Sequence, residues 1–381
     1  MPESIRRARA YLSRVAEPPA PALAALVAEQ GPVRAAESVR AGTVSDAVGR
    51  ETSARRTVDR VDEDFRIVHA LHGRLLIPED EEWPSWPFRA LSLASAHGVR
   101  FGYEPLALWV RGLGHLATLT ERAVAVVGSR AASGYGRQVA TEFGHGLAEA
   151  GVTVVSGAAF GIDAAAHSGS LAAGGPTVAV LACGVDVPYP VAHEGLLDRI
   201  SRHGLVVSEY PPAHTPARHR FLTRNRLIAA LGDGTVVVEA GRRSGAKNTA
   251  AATSAFGRVL MAVPGPVTSA TSSGCHELLR SGEAVPVSSV AEVVESTGRL
   301  GFDLVEATRS REKAPVHGDA MRVFEALGLR RGVSVEAVAV ESGVDLPMVR
   351  ALLPELELAG LAERVDDGWK RSHDSDWRGD A

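Results

Sequence analysis

Along the middle of this chain, short apolar runs alternate with glycine-rich turns and with stretches whose apolar residues recur every four positions. Residues 123–127 (AVAVV) are five apolar residues in a row, too few for a helix and the length of a buried strand. The run stops at Gly128-Ser129-Arg130. Val139, Phe143 and Leu147 then fall four apart, on one face of a helix that Gly151 closes. Residues 152–155 read as a second strand ending at Ser156-Gly157, and Gly161-Ile162-Asp163 opens a second helix through His167. Strand, glycine loop and helix, twice over, predict parallel strands with covering helices.

The alternation continues. Further strands are expected at 177–181, 205–208, 235–239 and 259–263, with helices at 192–201 and 248–256 and one more helix end and strand within 278–287. Pro211 and Pro212 prevent the fourth strand from running on. Residues 74–77 are strand-like, and 107–111 (ALWVR) suit an antiparallel edge or connecting strand. The expected fold class is α/β: a Rossmann-like, mostly parallel sheet with helices on both faces, over 71–297. Its strands are centred on about 100–294. Residues 1–70 carry short alanine-rich helices broken at Pro18-Pro19-Ala20-Pro21 and at Gly31-Pro32, and suggest a small helical domain of the SAM or helix-hairpin-helix kind. The charged stretch 53–64 and the acidic run 79–82 are expected on the surface. Trp83-Pro84 and Trp86-Pro87 read as a rigid turn. Residues 298–319 are polar and read as a linker. The remainder, 320–373, gives three helices and a two-strand wing around Asp366-Asp367-Gly368, a winged-helix domain. Its segment 345–357 holds Arg350 but three acidic residues, so DNA binding, protein contact and packing all stay open.

Bulk numbers narrow the chemistry. Net charge is −4, so any nucleic-acid binding must use a local patch. Cys183 and Cys275 stand far apart with no CxxC, which excludes a disulfide framework and a zinc ribbon. Metal-ligand spacing is absent, no cofactor is implied, and with no signal peptide or long apolar run a cytoplasmic, membrane-free location is expected. Lysine occurs only at 247, 313 and 370, among 41 basic residues.

The candidate chemistry lies at the carboxyl ends of the strands, where open α/β sheets bind ligands. Gly128, Ser129, Ser156, Gly157 and Gly161 let backbone approach an anion at helix N-termini, and Arg130 adds a guanidinium fork that fits phosphate. The pattern is neither the dinucleotide fingerprint nor a Walker A loop. A second constellation follows the fourth strand: Arg218, His219, Arg220, Phe221, Arg224, Asn225 and Arg226 place five Arg or His in nine residues. Arg242, Arg243, Ser244, Gly245 and Lys247 follow the fifth. Phe221 offers a face for base stacking amid phosphate-binding cations. Packing of Phe221 in the core, and pairing of Arg224 and Arg226 with Asp186, Glu209 or Glu239, are the competing readings. Asp163 and His167 lie one helical turn apart; a cap for Asp163 and a structural His167 suit them better than catalysis.

Taken in order, Val127-Gly128-Ser129-Arg130, Ser156-Gly157, Gly161-Ile162-Asp163, Ala166-His167, Gly184-Val185-Asp186, Tyr189-Pro190, Ser208-Glu209-Tyr210-Pro211, Phe221, Arg224-Asn225-Arg226, Val238-Glu239-Ala240, Ser244-Gly245 and Val263-Pro264-Gly265 resemble the DNA-processing protein A family (DprA, or Smf). The resemblance covers about 100–290, and the two ends resemble its three-part members. It implies a dimeric, non-enzymatic single-stranded DNA-binding protein that loads RecA recombinase, linked to DNA recombination, competence and natural transformation. It also implies a DNA pocket that uses Arg130, Arg218 and Phe221. This chain departs from the family at Val191, where some members carry lysine, at His193 for asparagine, at Leu222 for proline, and at Ala246-Lys247-Asn248 for a more apolar segment. The alternative is a phosphoribohydrolase-like nucleotide-processing enzyme, which Gly232-Asp233-Gly234-Thr235 and Glu239 faintly echo.

Overall fold

The structure is a computed structural model that describes residues 3–99, 101–242, 244–298, 318–329, 331–358 and 360–372. Arg100, Arg243, residues 299–317 of the expected linker and residue 373 lie outside these. The described residues up to 298 form one compact unit and those from 318 a second.

Nine strands make the sheet of the first unit: β1 (Gly73–Leu76), β2 (Leu108–Arg111), β3 (Ala123–Gly128), β4 (Thr153–Ser156), β5 (Thr177–Leu181), β6 (Leu205–Ser208), β7 (Gly234–Glu239), β8 (Val259–Ala262) and β9 (Val285–Pro286). Their order is β1-β2-β6-β5-β4-β3-β7-β8-β9. β3 to β9 run parallel to one another, while β2 pairs antiparallel with both β1 and β6. The ALWVR strand is therefore antiparallel as expected but internal; β1 is the edge. The chain builds outward from β3 in one direction and resumes beside it with β7, so the topological switch point lies between β3 and β7.

Strand alternation explains why both faces are covered. Along β3, Ala123, Ala125 and Val127 enter one core and Val124 and Val126 another. The first core packs under the helices Ser85–Ala96, Arg218–Leu231 and Ala246–Ala255; the second packs under Gly134–Glu149 and Ile162–Ala172. The helices of residues 3–70 are not walled off from the sheet. Tyr11, Leu12 and Leu23 share a core with Trp109, Ala179, Leu181 and Val206 of β2, β5 and β6. Apolar faces too small to close on themselves are buried on the sheet instead.

Three local expectations change for electrostatic or local reasons. The exposed stretch expected at 53–64 ends in Asp64, 1% exposed and paired with Arg14. The acidic run at 79–82 is tied down by arginines, Glu79 to Arg9, Asp80 to Arg6 and Glu82 to Arg74. The expected Trp-Pro turn is already a helix from Ser85, since proline is tolerated in a first turn. The second unit has helices Asp319–Glu325, Val335–Ser342 and Leu346–Leu358 and the hairpin β10 (Ala362–Val365) and β11 (Gly368–Arg371). Val323, Phe324, Val338, Val349, Leu353 and Trp369 fill its core. This is the winged-helix arrangement that the sequence predicts. No helix among the described residues is long and apolar enough to cross a membrane.

Candidate nucleic-acid interface

A cleft of about 900 Å³ opens over the carboxyl ends of the parallel strands. Gly128, Ser129 and Arg130 line it from β3, Ala159 and Asp163 from beyond β4, and Tyr189 from beyond β5. Arg218 and Phe221 line it from beyond β6, and Ser244, Gly245 and Asn248 from beyond β7. Thus five successive strand ends contribute, across the switch point.

The glycines shape this wall by close approach. Gly161 has φ +80°, and a Cβ there would lie 2.2 Å from the carbonyl oxygen of Ser129. The loop after β4 is thereby locked against the Gly-Ser-Arg turn. Asp163, 7% exposed, accepts the N–H of Gly157 at 3.2 Å and of Ala159 at 3.3 Å; from inside its helix it ties down the preceding loop rather than capping the helix. His167 is fully buried and bonds Thr177 Oγ1 through Nδ1 at 2.7 Å; burial pushes its pKa down to about 3. It is structural.

Arg130 and Arg218 are exposed and have no hydrogen-bonded or ion-pair partner among the described residues. The Arg130 guanidinium lies 5.0 Å from the centre of the half-buried Phe221 ring, and the Tyr189 ring packs against that ring at 5.3 Å. An aromatic ring with one such cation over it, in a cleft lined by a second, is what a stacked base and its phosphates require.

Several predicted residues sit elsewhere or point inward. Arg224 is 4% exposed and turns its guanidinium to the carbonyls of Gly157, at 3.0 Å, and Val180; burial pushes its pKa down. It props the cleft floor rather than facing outward. Arg226 is 1% exposed, does not line the cleft, and grips Glu209 with two contacts of 2.6 Å, plus the Tyr103 carbonyl at 2.8 Å. Ser156 is fully buried and donates to Val126 O at 2.6 Å. Asn225 lines the cleft but is held by Arg224, Gly245 and Asn248. Lys247 pairs with Glu277 at 2.8 Å and lines a separate pocket with Arg242, His276 and Arg280. Gly241 and Ser244 to Ala246 of its loop line the main cleft instead. Tyr189 and Asn248 also line the cleft, though in the sequence they stand out only within motifs and not as binding residues; the Tyr189-Pro190 pair was the available signal.

The N-terminal segment braces this site. Arg14 bonds Pro212 O at 2.9 Å. Glu17 accepts from Arg220 Nε at 2.7 Å, Arg55 Nη2 at 2.7 Å and His219 Nε2 at 3.1 Å. Burial alone would raise the Glu17 pKa, but the hydrogen bonds from Arg220 and Arg55 override it and hold the carboxyl at about 2. His219 and Arg220 lie between Arg218 and Phe221 in sequence, so Glu17 anchors the first turn of their helix.

Fold and cleft together define a doubly wound α/β protein with an open, cation-rimmed crevice at its switch point, joined to a winged-helix unit. The chain belongs to the DNA recombination-mediator protein A family, whose model matches residues 74–298; a DprA winged-helix model matches 307–368. It is 50% identical over 365 residues to a Mycobacterium tuberculosis protein named for DNA processing, DprA, covering 96% of this chain and 94% of that one. It is 36% identical over 301 residues to Protein Smf of Escherichia coli, covering 78% and 77%. The crystal structure of DNA processing protein A from Streptococcus pneumoniae superposes with a TM-score of 0.56 at 32% identity, covering 71% of this chain and 83% of that one.

Proposed function

We propose that this chain binds single-stranded DNA in the 900 Å³ cleft and delivers it to RecA recombinase, as a cytoplasmic homodimer serving recombination and the uptake of DNA in natural transformation. Arg130 and Arg218 hold phosphates, the loops at Gly128-Ser129 and Gly157–Gly161 give close backbone approach, and Phe221 carries a base. The observation that carries this reading is the exposed Arg130, without an ion-pair or hydrogen-bond partner among the described residues, over the Phe221 ring in a cleft that the equally exposed Arg218 also lines. Family membership supports the DNA-processing and recombination context.

Binding rather than catalysis fits the lining. Its one carboxylate among the described residues, Asp163, is engaged by two backbone N–H groups. The nucleotide-processing alternative has little support, because Gly232 to Thr235 lie at the amino end of β7. There the Asp233 carboxylate accepts from Ala123 N, at the opposite end of the strand from the cleft. A gel shift with single- and double-stranded oligonucleotides, run beside an assay for base release from nucleotides, tests the reading. Retardation of the single strand with no base release is expected. Base release, or equal retardation of duplex, contradicts it.

A further inference from the structure

We propose that Phe160, in the loop after β4, is a second base-stacking position in addition to Phe221, and that the two rings take different bases of one strand. This rests on the reading that a single strand occupies the cleft.

The two rings differ in how much face they leave open. Phe221 is half-buried, with the Arg130 guanidinium and the Tyr189 ring already against it. Phe160 is 47% exposed. Isolated exposed apolar side chains are ordinary, so exposure alone decides nothing. What distinguishes Phe160 is the rigidity of its support. Asp163 binds Gly157 and Ala159 in the same loop. Ala158 is held at φ 52°, a conformation that non-glycine residues adopt only where the surroundings impose it. Gly161 is clamped against Ser129 and Arg130. The His193 ring meets the Phe160 ring edge to face at 4.6 Å and 66°, and His193 Nδ1 is itself bonded to Ala158 O at 2.9 Å. A ring fixed in water by such a frame is pre-organised to be covered.

Its place fixes the ligand. The preceding residue, Ala159, lines the cleft, and the following glycine touches the Arg130 carbonyl. Phe160 does not itself line the cleft; it stands between a lining residue and the glycine packed on the Arg130 backbone, directly beside the lining. A strand leaving Phe221 past Arg130 carries the phosphate for that cation and, next to it, an unpaired base with a π-face to cover. Base pairs in a duplex offer no such face.

The experiment is photo-crosslinking of the full chain to oligo-dT in which a single 5-iododeoxyuridine is moved one position at a time, with crosslinked peptides identified by mass spectrometry. Crosslinks to Phe160 and to Phe221 or Tyr189 at different nucleotides are expected. Phe160→Ala should lose the first crosslink and weaken binding roughly five- to a hundred-fold with an unchanged salt slope, and Phe160→Trp should keep both. Crosslinks at Phe221 or Tyr189 alone, with Phe160→Ala binding as wild type, overturn this inference and leave the cleft reading intact. The same is true if Phe160→Ala spares DNA binding and abolishes only that of RecA, which would make its loop a protein contact. Failure of the wild-type chain to bind oligo-dT overturns both.

Discussion

Arg218 and Arg226 lie two turns apart on one helix and meet opposite fates. Arg218 is exposed without a partner; Arg226 is 1% exposed and neutralised by Glu209. Depth rather than helix face separates them, because every residue from Arg224 to Leu231 is buried. The signal was present in the sequence, since Leu227 to Leu231 are apolar all round, the mark of a buried helix. Of the two readings that the sequence leaves open for Arg226, the pairing with Glu209 is the one the structure bears out. Burial pushes the Glu209 carboxyl up, against the pull of Arg226. Removing the arginine leaves a carboxylate with no hydrogen-bonding cation in the core. Arg226→Ala should therefore destabilise the fold by about 3–5 kcal/mol, read from urea denaturation. A variant as stable as wild type would show that the pair is dispensable. Lys247 differs: Ser244 to Ala246 just before it border the cleft, but Lys247, in the first turn of the helix Ala246–Ala255, turns to Glu277, and that direction is not written in spacing.

Among elements, the parallel strands and their glycine turns were the most legible. β5 and β6 fall where the apolar runs place them, because a strand buried on both faces reads as a continuous run. The short helices of residues 3–70 were legible as helices. Their attachment to β2, β5 and β6 was not, because packing partners far apart in sequence leave no periodic trace. Glu17 is the point of attachment that bears on the cleft. Its folded pKa of about 2 lies below the ordinary value of 4.5, so its stabilisation is full above pH 4.5 and is lost as pH falls toward about 2. Glu17→Gln should lower stability at pH 7 by on the order of 1–2 kcal/mol, discounted for partial exposure, and the gap to wild type should close between pH 4.5 and 2. Equal stabilities at pH 7 would detach the N-terminal helices from the helix that presents Arg218.

At the scale of the whole molecule, the cations and glycine loops of the cleft all belong to the first unit, and Arg350 in the second pairs with Glu336 at 3.4 Å. Removing residues after 318 should leave affinity for single strands within about twofold, since no phosphate contact is lost. A large loss in a stably folded truncation would move the site to the winged helix. The central claim is that charge and stacking act together in one cleft, and a salt titration of fluorescence anisotropy on labelled oligo-dT separates them. Wild type, Arg130→Ala and Phe221→Ala should be compared. Arg130→Ala should weaken binding by about 1.5–3 kcal/mol and reduce the salt slope by roughly 0.7. Phe221→Ala should weaken it by about 1–3 kcal/mol with the slope unchanged. If Arg130→Ala folds normally and keeps both affinity and slope, the glycine loops are only turns and the cleft is not the DNA site.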